Sequence, residues 1–159
     1  MAAQGKDPAT KNTYTDGSCD IVVVGAGSAG LSAAVEAASH GDLQIIVLEK
    51  QGVLGGNTNY STGGINAAGT EAQQVLGISD STNLFYDDTM RGGQYQNIPS
   101  LVRSLVDNAA PTVAWLSSLG ADLSDVGLMS GSSVKRTHRP KGGTAIGAHL
   151  MKVLKEASW

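Results

Sequence analysis

A glycine-rich segment near the start of the chain has the spacing of a loop that binds phosphate. The segment Gly25–Gly30 reads GAGSAG and lies between a short apolar run and an alanine-rich stretch. In a loop of this kind Gly25 permits the tight turn, Gly27 lets a pyrophosphate approach the backbone, and Gly30 lets a helix pack closely on a strand. The N–H groups at the start of that helix attract the anion. The pattern therefore predicts pyrophosphate contacts along the loop, at Gly25, Ala26, Gly27, Ser28, Ala29 and Gly30.

A carboxylate follows at the distance expected for dinucleotide binding. Glu49 ends the second apolar run, 19 residues after Gly30, where a carboxylate accepts hydrogen bonds from the adenosine ribose hydroxyls. A carboxylate at this place also disfavours a 2′-phosphate, which argues against NADP. FAD and NAD are both compatible with the glycine loop and Glu49. The alternative interpretation is a strand-to-helix turn without a ligand, with Glu49 on the surface.

The segments that flank these residues predict a β-α-β unit. Cys19 to Val24 and Gln44 to Glu49 are short and rich in Val and Ile, which indicates two buried parallel strands. Ser28 to His40 is rich in alanine and is followed by Gly41, which indicates a helix. The predicted fold class is α/β, a Rossmann-like unit with additional helices and a right-handed crossover. No third parallel strand is recognisable, and two strands alone bury a sheet poorly, so we expect a piece of a longer protein.

The pattern changes after Glu49. Lys50 to Gly69 is a loop with six glycines, and a loop of this length inside a compact domain is usually functional. Three helical segments follow, with an irregular stretch between the second and the third. They are predicted at Ser81–Arg91 with Ser81 as the cap, at Pro99–Gly120 as one or two helices with a break near Pro111, and at Thr144–Ala157 after the irregular Ala121–Ser133.

Composition excludes several classes of protein. The 159 residues carry 11 Lys+Arg and 14 Asp+Glu, a net charge of −3, which argues against broad binding of nucleic acid. No apolar run is long enough for a transmembrane helix, and 41% apolar residues indicate a folded core. The single cysteine, Cys19, excludes an internal disulfide. Residues 1–18 are polar, which predicts a flexible leader rather than a secretory signal, and we expect a cytoplasmic protein.

The loop after Glu49 carries a family resemblance. It reads GGNT at Gly55–Thr58 and STGGINA at Ser61–Ala67, and further short matches continue through DDTMRGG, GADL, VGLM and THRPKGG. In this order and spacing the series resembles the flavoprotein subunits of the fumarate reductase and succinate dehydrogenase family. The likeness is greatest to the soluble flavocytochrome c type, with urocanate reductase as a sister group. The resemblance covers roughly residues 20–158, and it implies FAD rather than NAD.

The resemblance also implies where the flavin and the substrate lie. Small residues in the loop let the backbone lie against a flat isoalloxazine ring, and Asn57 and Thr58 offer polar groups to its rim. Met129 aligns with a methionine beside the bound dicarboxylate, and Gly63 lies near the substrate as well. Beyond the Gly25–Gly30 loop, the expected cofactor contacts are Glu49, Lys50, Gly56, Asn57, Thr58, Thr62, Gly63 and Gly64.

The implied activity is reduction of the C=C bond of an unsaturated carboxylate, with fumarate as the first candidate, by hydride transfer from flavin N5. In this family a mobile capping domain grips the substrate and delivers the proton. Its motifs are absent here, so we expect residues 19–159 to be the N-terminal part of the FAD-binding domain of a two-domain flavoprotein, without catalytic residues or a metal site. An electron-donor protein or domain is the expected partner. The alternatives are a urocanate reductase, a 3-ketosteroid dehydrogenase-like flavoprotein, or an inactive piece that only binds FAD.

Basic and histidine residues cluster near the third helix. His138-Arg139-Pro140 has two interpretations: an element that positions groups near the flavin, or a run in which His138 is a buried structural histidine. A short basic cluster surrounds this run, and we expect it to be a solvated face, with attraction of a dianionic substrate as the lesser alternative. Its members are Lys135, Arg136, Arg139 and Lys141.

Overall fold

A parallel pair of strands begins the fold. The computed structural model describes residues 18–158, so the predicted leader lies almost wholly outside the described residues. Strand β1 (Ile21–Val24) leads through helix α1 (Ser28–Ala38) into strand β2 (Ile45–Leu48). The two strands pair in parallel, with Ile21 opposite Ile45 and Val24 opposite Leu48. The predicted β-α-β unit is confirmed, and the α/β fold class with it.

The remaining elements are short strands and helices of mixed length. A 3₁₀ helix forms within the glycine-rich loop, and four further α-helices and three further strands complete the described chain. In chain order the elements after β2 are the 3₁₀ helix (Gly56–Tyr60), β3 (Ile65–Asn66), α2 (Glu71–Val75), α3 (Thr82–Gly92), α4 (Pro99–Ser118), β4 (Asp125–Gly127), β5 (Thr137–Arg139) and α5 (Ile146–Ala157). Within residues 18–158, no helix has the length and apolarity needed to cross a membrane.

Local sequence explains where α3 begins, but it does not explain the continuity of α4. The Ser81 hydroxyl accepts a hydrogen bond from the Leu84 amide at 3.1 Å, which confirms the predicted cap. The expected break near Pro111 is wrong, because α4 runs without interruption from Pro99 to Ser118. Pro111 removes one N–H from the helix, but it lies on the exposed side, where water can satisfy the carbonyl that loses its donor. Buried residues on both sides of Pro111, including Val106 and Val113, hold the helix against the core.

A second sheet was not anticipated by the sequence. Strands β3, β5 and β4 form an antiparallel sheet in that order. Ile65 pairs with His138, and Val126 pairs with the same histidine from the other side. Strand β4 lies in the segment expected to be irregular. All three strands have only two or three residues, too few for a period-two pattern to be recognised.

The core lies between the helices rather than around the parallel sheet. Leu31 of α1, Val106 of α4 and Leu154 of α5 are almost fully buried in one apolar cluster. Helix α5 approaches the 3₁₀ helix so closely that a Cβ at Gly147 would collide with the Thr58 carbonyl. The prediction that both strands are buried is wrong, because one face of the β1–β2 sheet is open to solvent and a sheet of two strands buries little of its surface. Its exposed side chains are Val22, Val24, Ile46 and Leu48.

Candidate dinucleotide site

The three glycines of the Gly25–Gly30 loop have three different environments. Gly25 adopts a φ of +99°, a conformation that L side chains rarely adopt. A Cβ at Gly30 would collide with the Gly25 carbonyl and lie 3.2 Å from Val23 Cγ1, so the helix can approach the strand only without a side chain there. At Gly27 the nearest atom to such a Cβ is the Gly55 carbonyl oxygen, at 3.8 Å. The fold itself requires glycine at positions 25 and 30, whereas Gly27 faces free space.

The start of α1 is suited to an anion. Gly27 caps the helix without a side-chain hydrogen bond, and its first turn contains no acidic residue. The first-turn amides have no acceptors inside the helix, and the helix dipole adds partial positive charge. The Ser28 amide donates to Thr58 Oγ1 at 3.3 Å, and the Thr58 hydroxyl donates to Ser28 Oγ at 3.0 Å. Thr58 of the glycine-rich loop therefore lies directly against the predicted phosphate position.

The Glu49 carboxylate contacts the glycine loop as well as the end of β2. Its Oε2 accepts a hydrogen bond from the Ala26 amide at 2.8 Å, and its Oε1 accepts one from the Gln51 amide at 2.9 Å. These two bonds, that from Ala26 first, lower the pKa of Glu49 below its ordinary value. A carboxylate has about four acceptor positions, so capacity is left for hydroxyl donors of a ligand. The bond to Ala26 was not foreseen, because sequence spacing shows only that Glu49 ends its strand.

The segment from Lys50 to Thr62 approaches the Gly25–Gly30 loop through its backbone. The Gly55 amide donates to the Ala26 carbonyl at 2.8 Å, and Gly27 and Gly55 form an isolated parallel bridge. A φ of +116° at Gly55 makes this approach possible, and Asn59 closes the turn through a 2.9 Å bond to the Leu54 carbonyl. Four other expected cofactor contacts lie in this segment. The side chains of Lys50, Asn57 and Thr62 are exposed, and Gly56 has no side chain.

A cavity of about 490 Å³ joins several of the predicted positions. Ser28 and Thr58 lie at its polar side, and Trp115 and Leu150 contribute to an apolar wall. The backbone of Gly63 and Gly64 also lines it, whereas Glu49, Asn57 and Met129 do not. The structure thus brings the start of α1, the 3₁₀ helix and the Gly63-Gly64 turn to one space.

Gly63 and Gly64 have different surroundings, and only one of the two positions requires glycine for packing. A Cβ at Gly63 would meet no atom within 4 Å, so this position is open to a ligand. A Cβ at Gly64 would lie 2.6 Å from both the His138 carbonyl and Thr137 Cγ2. Packing against β5 therefore requires glycine at position 64, independently of any ligand.

Met129 lies outside the apolar core. It is 40% exposed in the irregular segment after β4. Its Sδ is 3.3 Å from Nη2 of Arg139, the neighbour of His138 on β5. The side chain is thus accessible and lies beside a cation, as a residue that contacts an anionic substrate would.

The basic cluster is not a solvated face, because Arg136 is fully buried. Its Nε and Nη2 donate to the two oxygens of Asp80 at 3.0 Å each, and Nη2 also lies 3.1 Å from Asp88. The guanidinium lies over the Phe85 ring, 4.9 Å from its centre. Two carboxylates offset the desolvation of this cation. The expectation holds for Lys135 and Lys141, which are exposed.

His138 is also completely buried, which agrees with the structural interpretation of this residue. Burial is the main cause that lowers its pKa below the ordinary value. Three polar atoms surround its ring: Oγ1 of Thr70 and the carbonyl oxygens of Ile65 and Arg136. Neither ring nitrogen is free to exchange a proton with a substrate.

The chain is similar in sequence and in structure to known flavoproteins. The family model described as an FAD binding domain matches residues 20–158. A fumarate reductase (cytochrome) from Shewanella frigidimarina is 49% identical over 135 residues, which cover 85% of this chain and 24% of that protein. An NADH:fumarate oxidoreductase from Klebsiella pneumoniae is 42% identical over 153 residues, or 96% of this chain and 16% of that protein. The open conformation of a flavocytochrome c3 fumarate reductase superposes with a TM-score of 0.81 at 41% identity, covering 88% of this chain and 25% of the other. The chain thus spans a quarter or less of the length of each of these relatives.

Proposed function

The chain belongs to the FAD binding domain family, and we propose that it forms the nucleotide-binding part of a flavin-dependent reductase of unsaturated carboxylates, with fumarate as the substrate. The observation that carries the proposal is the open position at Gly27. A Cβ there would have no neighbour closer than 3.8 Å, although the fold requires glycine on both sides, at Gly25 and Gly30. Free space against backbone at the start of a helix is what a pyrophosphate needs.

The adenosine half of FAD is proposed to lie at Glu49. The amides of Ala26 and Gln51 lower the pKa of this carboxyl group further below its ordinary value, and an ionised carboxylate is the strong acceptor for ribose hydroxyls. The bond to Ala26 links the ribose position to the phosphate loop. A ligand that contacts both would therefore find them already in a fixed relation, which reduces the entropy lost on binding.

The flavin half is proposed to extend towards Gly63, past Asn57, Thr58 and Thr62. Gly63 offers backbone without a side chain and borders the cavity. Bound FAD supplies hydride chemistry at its ring, and the substrate is proposed to lie between that ring and Met129. The thioether of Met129 is soft and polarisable, so it can contact the apolar carbons of an unsaturated acid.

No proton donor for the reaction is identified among residues 18–158. His138 is buried with both ring nitrogens within hydrogen-bond distance of other groups, and Arg139 does not line the cavity that Gly63 borders. We propose that residues 19–159 correspond to the N-terminal part of the FAD-binding domain. The complete reductase is proposed to need further residues that this chain does not contain. FAD binding without turnover is accordingly the second candidate function for this chain alone.

Titration of the purified 159-residue chain with FAD tests the proposal. Quenching of flavin fluorescence and equilibrium dialysis should show one saturable site, and NADP should not compete. Reduced viologen with fumarate should then give no turnover above background. Saturable binding with no turnover supports the second candidate for the chain alone, whereas absence of any FAD binding would contradict both candidates.

Substrate choice is tested in the complete reductase proposed above. Fumarate should be reduced with a larger kcat/KM than urocanate, an acrylate-type acid or a 3-ketosteroid. A preference for one of the latter would replace fumarate without affecting the assignment of FAD.

A further inference from the structure

The buried imidazole of His138 joins three parts of the chain through its two ring nitrogens. Nδ1 lies 2.9 Å from the Arg136 carbonyl oxygen and 3.2 Å from the Ile65 carbonyl oxygen. Nε2 lies 2.7 Å from Thr70 Oγ1. The ring therefore connects β5 with β3 and with the cap of α2, although these residues are far apart in sequence.

The partners determine which nitrogen carries the proton. Both partners of Nδ1 are carbonyl oxygens, which only accept, so Nδ1 must be the donor. A neutral imidazole then has Nε2 as an acceptor, and the Thr70 hydroxyl must donate to it. Thr70 Oγ1 also accepts the Gln73 amide at 3.2 Å, which caps α2. In this neutral tautomer each of these polar atoms has a partner, and the Thr70 hydroxyl proton would lose its acceptor if Nε2 were protonated.

The bond to Ile65 acts on the turn that faces the cavity. Strand β3 pairs with β5 over only two residues, Ile65 and Asn66, which is too little backbone pairing to fix a segment firmly. Two side-chain contacts reinforce it: His138 Nδ1 to the Ile65 carbonyl, and the Thr137 hydroxyl to Asn66 Oδ1 at 2.6 Å. Gly64 immediately precedes Ile65 and packs against the His138 carbonyl.

We propose that His138 is a positioning residue that holds the Gly63-Gly64 turn at the flavin through its Nδ1–H bond to the Ile65 carbonyl. This role deepens the proposed function and rests on it, because the flavin is assigned to Gly63 there. The histidine does not contact the cofactor and does not transfer a proton. It fixes the backbone against which the ring lies, so that little freedom is lost when FAD binds.

Two substitutions separate this role from simple filling of the core. An asparagine amide at position 138 reaches roughly the place of Nδ1 and can still donate to a carbonyl, whereas a glutamine amide reaches towards the place of Nε2. His138→Asn should therefore keep the bond to Ile65, and His138→Gln should lose it. A residue that merely fills space would show the opposite order, since glutamine is closer to histidine in volume.

The experiment measures FAD affinity and backbone exchange in the full 159-residue chain. His138→Gln should weaken FAD binding by about tenfold, the equivalent of one lost hydrogen bond, and His138→Asn should bind within about threefold of the wild type. In the absence of FAD, hydrogen exchange of the Ala67 amide, which donates to the Arg136 carbonyl at 3.0 Å, should be faster in His138→Gln than in His138→Asn. Amides in the middle of α4 should exchange as in the wild type in both variants.

The outcomes separate this proposal from the proposed function. If the wild type binds no FAD, the proposed function fails, and the exchange of Ala67 still decides whether His138 holds β3. If the wild type binds FAD and His138→Gln binds equally well with unchanged exchange, the proposal is wrong. Equal losses in the two variants would also overturn it, because the bond to Ile65 would then not be the cause.

A second pair of variants serves if the substitutions at position 138 prevent folding. Thr70→Val removes the hydroxyl that donates to Nε2, and Thr70→Ser retains it. The proposal expects weaker FAD binding and faster exchange at Ala67 in Thr70→Val, with recovery in Thr70→Ser. Wild-type behaviour of Thr70→Val would overturn the proposal.

Discussion

The carboxylate of Glu49 lies 2.8 Å from the backbone amide of Ala26, so the end of one parallel strand is bonded directly to the loop that follows the other. We assign two roles to Glu49. It accepts a hydrogen bond from the glycine loop, and it is the proposed acceptor for the ribose of FAD. These two roles can be separated by substitution.

Glu49→Ala should weaken FAD binding by roughly tenfold or more, because it removes a charged acceptor and releases the Ala26 amide. Glu49→Gln keeps an oxygen for the Ala26 amide but removes the charge, so its loss should be smaller. Both affinities are measured by titration of FAD fluorescence. Unchanged affinity in Glu49→Ala would show that the ribose lies elsewhere.

Arg136→Met should destabilise the fold by about 3–5 kcal/mol, because the buried carboxylates of Asp80 and Asp88 would lose the cation between them. Lys152→Met is the matched control, since Lys152 makes an exposed contact of 4.0 Å with Glu156 and exposed ion pairs contribute about 0–1 kcal/mol. Urea unfolding gives both free energies. Similar small decreases of the unfolding free energy in the two variants would show that the buried ion pairs of Arg136 contribute no more than an exposed pair.

Met129 and Met151 form a natural pair for testing which methionine belongs to the core. Met151 is 1% exposed, and Met151→Ala should cost about 2–5 kcal/mol of unfolding free energy. Met129 is 40% exposed, so Met129→Ala should change the melting temperature of the chain little. In the proposed complete reductase, the same Met129→Ala substitution should lower kcat/KM for fumarate. A large fall in melting temperature with unchanged kinetics would assign Met129 to the core instead.

The neutral state of His138 predicts a dependence of stability on pH. Burial lowers the pKa of His138 in the folded chain below the ordinary value of 6.5. Between these two pKa values only the unfolded chain takes up the proton, so stability is complete above pH 6.5 and falls as the pH decreases towards the folded pKa. The free energy of unfolding, measured at pH 7.5 and 5.5, should therefore fall more in the wild type than in His138→Asn. An equal fall in both would attribute the effect to other groups, because His40 and His149 are common to the two proteins.

The sequence predicted the elements that have a strong local signal. The β-α-β unit, the Ser81 cap and the helix after Gly143 were recognisable because apolar runs, alanine content and a capping serine act over a few residues. Strands β3, β4 and β5 were missed because each is too short for alternation, and the pairing of β3 with β5 joins residues some 70 positions apart, Ile65 and His138. The prediction of one or two helices over Pro99–Gly120 left the continuity of α4 open, and the break expected near Pro111 does not occur because packing on both sides of the proline outweighs its local effect.

The candidate site shows the same division. The glycine spacing and Glu49 predicted the phosphate loop. Whether packing requires glycine at a given position, however, depends on residues that are close in space and distant in sequence. Gly64 was assigned to the flavin, but the structure shows that the His138 carbonyl and Thr137 already exclude a side chain there. Arg136 was assigned to a solvated face, because its partners Asp80 and Asp88 lie some 50 residues earlier and no local pattern joins them.

The central claim is that FAD binds with its pyrophosphate against Gly27, and one comparison of variants tests it most directly. Gly27→Val places a side chain in the open space beside the start of α1, whereas Gly92→Val, at the exposed end of α3, also meets no atom within 4 Å and has an ordinary φ. The dissociation constant for FAD is measured by fluorescence titration for both, after circular dichroism confirms that each is folded. We predict that Gly27→Val abolishes binding while Gly92→Val binds as the wild type does. A folded Gly27→Val chain with wild-type affinity for FAD would contradict the account.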